Sequence, residues 1–416
     1  SQAPEVPDSR PLERDEIEAL VEALIEEARR ETRRRHRRYW ALAALAAIVG
    51  AVILILLDGG AASQPTSSAL AARSSLATAA SSSKIAFISE PRGGYCGTVW
   101  TMNPDGSDQR RLTNGGVPGC GQEWSPAWSP NGREIAFQSD TPPGTPWWVS
   151  PLARIYVMNA DGSGERMLTS TPGMEGSPSW SPDGRKIAFT RHRQRRDREI
   201  YVVNADGSGE RQLTRNAGAA IFAPAWSPNG RRIAFVGGAD RGPRRHNLEI
   251  YVMSADGSEQ RRLTANTTED GNPVWSPNGR RIVFERNWQV WVMNADGTGQ
   301  RLLTQSGARH FAPAWSPDGR RIAFERRLGT PCHTHCTRIQ LWVMNADGSG
   351  QRMLAGDAAQ PSWSPDGRRI AFSSLPGEVA SDIYVMNPDG TGQRNLTRTP
   401  GAGRRESLPV WSPAQR

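Results

Sequence analysis

The tripeptide Trp-Ser-Pro recurs in register along this 416-residue chain, at Trp128, Trp180, Trp226, Trp275, Trp315, Trp363 and Trp411. The spacings are 52, 46, 49, 40, 48 and 48 residues. Self-similarity at such a period marks a chain built from repeated supersecondary units, each unable to bury its apolar face alone. Six copies open the same cassette, P-x-W-S-P-[D/N]-G-R-x-I-[A/V]-F. A variable stretch follows, then [I/V/L]-[Y/W]-V-M-N-A-D-G-[S/T] and R-x-L-T.

Each cassette carries two turn signals. Ser181-Pro182-Asp183-Gly184 places Pro second and Gly fourth in a tight turn, and Asn204-Ala205-Asp206-Gly207 repeats the shape without Pro. Asx-Gly turns between apolar runs predict hairpins. One repeat is therefore four strands. Strand A carries P-x-W-S, strand B I-A-F, strand C I-Y-V-M, and strand D ends in R-x-L-T. Strands B and C are apolar without alternation, as in Ile200-Tyr201-Val202-Val203. Burial on both faces places each small sheet between two others. Stacked four-stranded sheets at this period predict an all-β fold, a β-propeller.

The ends predict how the ring closes. The first repeat begins at Lys84-Ile85-Ala86-Phe87 with no strand A before it. The last, Pro409-Val410-Trp411-Ser412-Pro413, has no strand B after it. Docking the C-terminal strand into the N-terminal blade removes two exposed sheet edges. Strand B is counted at Phe87, Phe137, Phe189, Phe235, Phe284, Phe324 and Phe372, which predicts a seven-bladed propeller over 84–416.

The run Trp180 to Phe189, with Ile200 to Gly207 and their counterparts in the other blades, resembles the WD40-like PD40 repeats of the TolB family. The resemblance covers about four fifths of the chain and implies a propeller fold. It would also imply six blades and a preceding α/β domain, whereas seven repeats are counted here and the N-terminal region has a different pattern.

Residues 1–38 are charged. Leu12, Ile17, Leu20, Val21, Leu24 and Ala28 fall near helical spacing, which predicts an amphipathic helix over 12–35. Arg33-Arg34-Arg35-His36-Arg37-Arg38 follows, then 19 uncharged residues over 39–57 opening on Tyr39-Trp40. That length predicts one transmembrane helix, uncleaved, with the N-terminus cytoplasmic and the propeller extracytoplasmic. Residues 58–83, rich in Ala and Ser, predict a flexible linker. The amphipathic helix offers a surface for a cytoplasmic partner.

Lys and Arg number 51 against 42 Asp and Glu. The extracytoplasmic placement argues against nucleic acid as the reason for this excess. Within the chain the A–B and C–D turns are nearly constant, and length varies only in the B–C and D–A connections. Those connections share one face, so recognition is expected there. Candidate binding residues on it are Trp147, Trp148, Arg193, Arg195, Arg196, Arg244, Arg245, His310, Arg404 and Arg405. The arginines fit an acidic protein or an anionic envelope polymer, and the paired tryptophans a partner anchor. Four cysteines suit an oxidising compartment. Cys96 with Cys120, and Cys332 with Cys336, are candidate disulfides. A zinc site at Cys332-His333-Thr334-His335-Cys336 is the alternative for the second pair.

No nucleophile elbow, zinc-protease motif or phosphate loop is present in the sequence. The expectation is therefore a non-enzymatic, membrane-anchored propeller of a cell envelope, without cofactor or metal, that binds or scaffolds. Two alternatives stand beside it. One is a transmembrane signal transducer, and the other an enzyme with a site in the central channel.

Overall fold

The computed structural model describes residues 83–91, 97–113, 123–139, 153–171, 173–194, 197–215, 219–239, 247–304, 307–329, 338–374, 381–398 and 404–414. The predicted N-terminal helix, membrane span and linker lie outside them. Among the described residues no helix is long and apolar enough to cross a membrane.

Among the described residues twenty-eight strands form seven four-stranded antiparallel blades in the order A-B-C-D. Strand A spans Glu123–Trp128, Met174–Trp180, Ala219–Trp226, Asp270–Trp275, Arg309–Trp315 and Ala358–Trp363 in blades 2 to 7. In blade 1 it is the C-terminal strand Arg404–Trp411, hydrogen-bonded to strand B, Ile85–Pro91. The closure predicted from the unmatched ends is the one observed. Ile85 is in register with Trp411. The Ser412 N–H donates to Lys84 O at 2.7 Å, and the Lys84 N–H to Ser412 Oγ at 2.7 Å. A parallel bridge between Arg198 and Ala220 joins blades 3 and 4 at one edge. Each strand A packs against the strand A of both neighbouring blades, so the seven A strands ring the centre.

The apolar pattern explains the stacking. Among the described residues there are seven core clusters, one at each junction between blades. The strand B phenylalanines Phe87, Phe137, Phe189, Phe235, Phe284, Phe324 and Phe372 are all at most 2% exposed. Removing one such ring leaves a cavity and costs about 3–5 kcal/mol. The repeated tryptophan does a second job through its indole N–H. Trp128 donates to Val410 O, Trp180 to Ala127 O, Trp275 to Ala225 O, Trp315 to Val274 O and Trp363 to Ala314 O, at 3.0–3.3 Å. Each acceptor is on the preceding blade, so the tryptophan both fills a core and stitches two blades.

The turns lock in the same way. Gly257, at φ +87°, would put a Cβ 3.0 Å from the Leu213 carbonyl of the blade before. Glycine is needed there for the left-handed backbone and for the close approach together. Three residues on, the Gln260 amide donates to that same carbonyl at 3.0 Å. Gln109, Gln300, Gln351 and Gln393 repeat the contact. The R-x-L-T threonine accepts the first core N–H of strand C, as Thr264 does from Ile250 at 2.9 Å.

Strand A carries one further regularity. Three residues before each tryptophan the backbone turns to positive φ at a non-glycine residue: Ser125, Ser177, Ala223, Asn272, Ala312, Gln360 and Leu408. A register shift accompanies it in every blade. Such bulges interrupt the ladder and aim the preceding residues away from it.

Candidate functional site

The constant turns and the variable connections lie on opposite faces, as the strand order requires. On the variable face the best-defined concavity lies between blades 4 and 5. It encloses about 640 Å³ and is lined by residues including Leu248, Glu269, Asp270, Glu285, Asn287 and Trp288.

The rim is a two-residue hairpin. Strand B of blade 5 (Arg281–Arg286) returns into strand C (Gln289–Asn294) through Asn287-Trp288 alone. Their φ values are +47° and +62°, the two positive values that a two-residue hairpin of the favoured twist demands. Asparagine accepts this backbone readily, whereas a bulky tryptophan does so at a cost. The neighbouring blade holds it there. The His310 N–H donates to Trp288 O at 2.7 Å. The Phe311 ring lies 5.4 Å from the Trp288 ring. The Arg309 guanidinium sits 5.0 Å above Trp288, and Arg327 4.5 Å from Phe311. Even so, Trp288 is 48% exposed. The face therefore presents a large apolar ring held by Arg309 and Phe311 and beside an acidic cavity.

The acids below are already engaged. Asp270, at strand A of blade 5, holds Arg286 through two hydrogen bonds of 2.7 and 2.8 Å. Glu285 accepts the Ala312 N–H of the next blade's bulge at 2.9 Å. Burial raises the Glu285 carboxyl above its ordinary range, against the pull of its hydrogen bonds from Asn272 and Ala312. Glu325 repeats this one blade on, accepting the Gln360 N–H at 2.9 Å while Arg327 pairs with its other oxygen at 2.9 Å. These carboxylates are thus explained as clamps on the central bulges.

Arginines of the connections take two roles. Arg191 stands in the basic run after Phe189, yet it is wholly buried on strand B of blade 3 (Lys186–Gln194). Glu175 holds it at 2.5 Å and Glu210 at 2.6 Å, and its guanidinium lies 4.3 Å from the Tyr201 ring. Arg193 belongs to that same strand rather than to a loop. Arg404 and Arg405 likewise open strand A of blade 1 and are exposed. Arg404 covers Trp100 at 5.1 Å. His310 is only 2% exposed, and burial with nearby Arg326 lowers its pKa to about 4. Trp147, Trp148, Arg195, Arg196, Arg244, Arg245, Cys96, Cys120, Cys332 and Cys336 lie outside the described residues. Among the described residues no cluster of three His, Cys, Asp or Glu side chains could hold a metal ion.

Two exposed tryptophans escaped the reading of the sequence. Trp288 stands in the shortest B–C stretch of the sequence, between Phe284 and Val290, and so carries none of the loop length that marks the other connections. Trp124 opens an out-of-period Trp-Ser-Pro on strand A of blade 2 and is 38% exposed.

The PD40 family, described as the TolB beta propeller domain, matches residues 153–415. The chain belongs to this family. Among curated proteins it is similar to the uncharacterized peptidase YuxL of Bacillus subtilis, at 31% identity over 106 residues. That segment covers 25% of this chain and 14% of the relative. It is also similar to the Tol-Pal system protein TolB of Alcanivorax borkumensis, at 39% identity over 66 residues, covering 16% and 14% respectively. The segments shared with this TolB-family chain are thus a small part of each relative. Among solved structures, puromycin hydrolase superposes with a TM-score of 0.59 at 16% identity, covering 77% of this chain and 53% of that one. An oligogalacturonate lyase in complex with manganese gives 0.55 at 14% identity, covering 76% and 85%. These likenesses show the fold alone.

Proposed function

We propose that this propeller is a binding module of a cell envelope that engages a protein partner through its variable face, centred on blades 4 to 6. The observation carrying the reading is Trp288. A half-exposed tryptophan is kept in an unfavourable backbone conformation by contacts that orient its ring outward. Aromatic and arginine side chains at the centre of a patch dominate binding energy in protein interfaces. The constant turn face has a concavity between blades 3 and 4, but its tryptophan, Trp226, is buried and its carboxylates are engaged in their own turns. Asp206, for example, accepts from the Ser208 N–H and hydroxyl.

The family contributes context. One relative is named for the Tol-Pal system, and the sequence of residues 39–57 has the length and flanking arginines of a single membrane span. The proposal therefore places the propeller outside the cytoplasmic membrane and residues 1–38 inside. Resistance of the full chain to alkaline extraction, with the propeller open to external protease and residues 1–38 protected, would bear this out. The partner reading is tested by cross-linking in the native envelope with wild type and Trp288→Ala, followed by mass spectrometry. Loss of specific adducts in the variant is expected. An unchanged adduct set removes the reading.

A further inference from the structure

The internal repeat allows one blade to be compared with another, position by position. Five residues before each tryptophan, strand A is in register with the residue two past the strand B phenylalanine. In blade 3 this pair is Glu175 and Arg191, and in blade 5 Asp270 and Arg286. Both arginines are clasped by the carboxylate and by the residue just before strand D, Glu210 or Gln300. Both lie over the aromatic ring of strand C, at 4.3 Å from Tyr201 and 4.6 Å from Trp291.

Blade 6 keeps the arginine and loses the acid. Arg326 is in register with His310. Its guanidinium is in the same posture, 4.6 Å from the Trp342 ring, and that ring is fixed by the indole N–H donating to Gln340 at 3.0 Å. No carboxylate reaches it among the described residues, and its buried Nε has no hydrogen-bond partner. His310 is 2% exposed, and its Nδ1 is also without a partner. Arg326 Nε and His310 Nδ1 are thus both unsatisfied at the position where blades 1, 2, 3 and 5 carry Glu or Asp. Leaving a buried guanidinium N–H unpaired is unfavourable, so an added acceptor would be stabilised there. Arg326 remains partly exposed, so its guanidinium can be approached from solvent although Nε and the His310 Nδ1 are themselves buried.

We infer that Arg326 and His310 form an open carboxylate slot that takes an Asp or Glu side chain of an acidic partner segment. The inference rests on the variable-face reading above and names the chemistry of the partner. Two observations favour a peptide carboxylate. In blades 3 and 5 a strand-borne Glu and a strand-borne Asp engage the equivalent arginine, so a guanidinium in this posture accepts either carboxylate. The flanking positions Arg309 and Arg327 are cationic, and Phe311 and Trp288 supply the apolar contact beside them. Guanidinium clusters bind acidic motifs through charge-assisted forks.

The test uses the full chain in detergent with labelled hexaglutamate as probe, hexaglutamine as the neutral control and oligogalacturonate as the sugar acid. Wild type is expected to bind hexaglutamate and not hexaglutamine. Arg326→Gln should weaken that binding at least about tenfold, and Arg326→Lys should not restore it because the fork is lost. His310→Glu should abolish binding while keeping or raising the melting temperature, because the introduced carboxylate closes the slot as Glu175 does in blade 3. That gain separates blockage from misfolding. Unchanged hexaglutamate binding in both variants overturns the slot. Arg326-dependent binding of oligogalacturonate without hexaglutamate overturns the peptide assignment. If Trp288→Ala loses its cross-linked partner while Arg326→Gln keeps it, the slot falls and the variable-face reading stands. If neither variant changes partner capture, both fall.

Discussion

Glu406 offers a quantitative test of the ring closure. It lies on strand A of blade 1 in register with Ser89, the blade 1 counterpart of Arg191 and Arg286. Here the acid is kept and the arginine is lost. Glu406 is 4% exposed, accepts one hydrogen bond from Ser89 Oγ at 3.0 Å, and has no partner for Oε2 among the described residues. Burial, opposed by Ser89 and Arg404 and aided by Asp382, raises its pKa from 4.5 to about 7. An acid raised on folding is held protonated by the native state, so its stability contribution is greatest below the unfolded value. It is lost as pH rises from about 4.5 through about 7. The shift corresponds to about 3 kcal/mol. Glu406→Gln replaces the acid by a neutral group of the same shape. Urea unfolding of both proteins at pH 5, 6, 7 and 8 should give curves that diverge with pH. The variant should be about 3 kcal/mol more stable relative to wild type at pH 8 than at low pH. Parallel stabilities across that range would refute the claim that the closing strand buries an uncompensated carboxyl.

Trp288→Gly should leave stability within about 1 kcal/mol of wild type, because Asn-Gly is the preferred hairpin pair and the strain of a bulky residue disappears. Partner cross-links should nevertheless vanish, and calorimetry with cross-linking reads both. Trp411→Ala should destabilise by about 3–5 kcal/mol through the cavity left between blades 7 and 1, measured by thermal unfolding. Arg191→Met should cost about 3–5 kcal/mol, since Glu175 would stay buried without its counter-charge. Adding Glu175→Leu should recover much of that loss in a double-mutant cycle.

Much of the fold was legible because its determinants are local and repeated. Pro-[Asp/Asn]-Gly turns, both-face apolar strands and the unmatched ends at Lys84 and Trp411 lead directly to seven blades and their closure. The outer stitching was less visible. Gln260 and its counterparts sit in a polar stretch, and only the structure shows their amides reaching the carbonyls of the blade before. The site was read in part. The variable face follows from which turns are constant, but residue choice there depends on where strands stop. Arg191 sits in a run that looks solvated, yet the strand continues past it and folds it into a buried clasp. Register decides the matter, and register is a property of two strands. His310 illustrates the same point, since its significance lies in standing opposite Arg326 where other blades have an acid.

The central claim is that partners approach the variable face. A photo-cross-linking amino acid placed at position 288, on that face, and separately at position 183, in a constant turn on the other, tests it in the native envelope. The account predicts specific protein adducts from position 288 and none from position 183. Equal adducts from both positions, or adducts from position 183 alone, would contradict it.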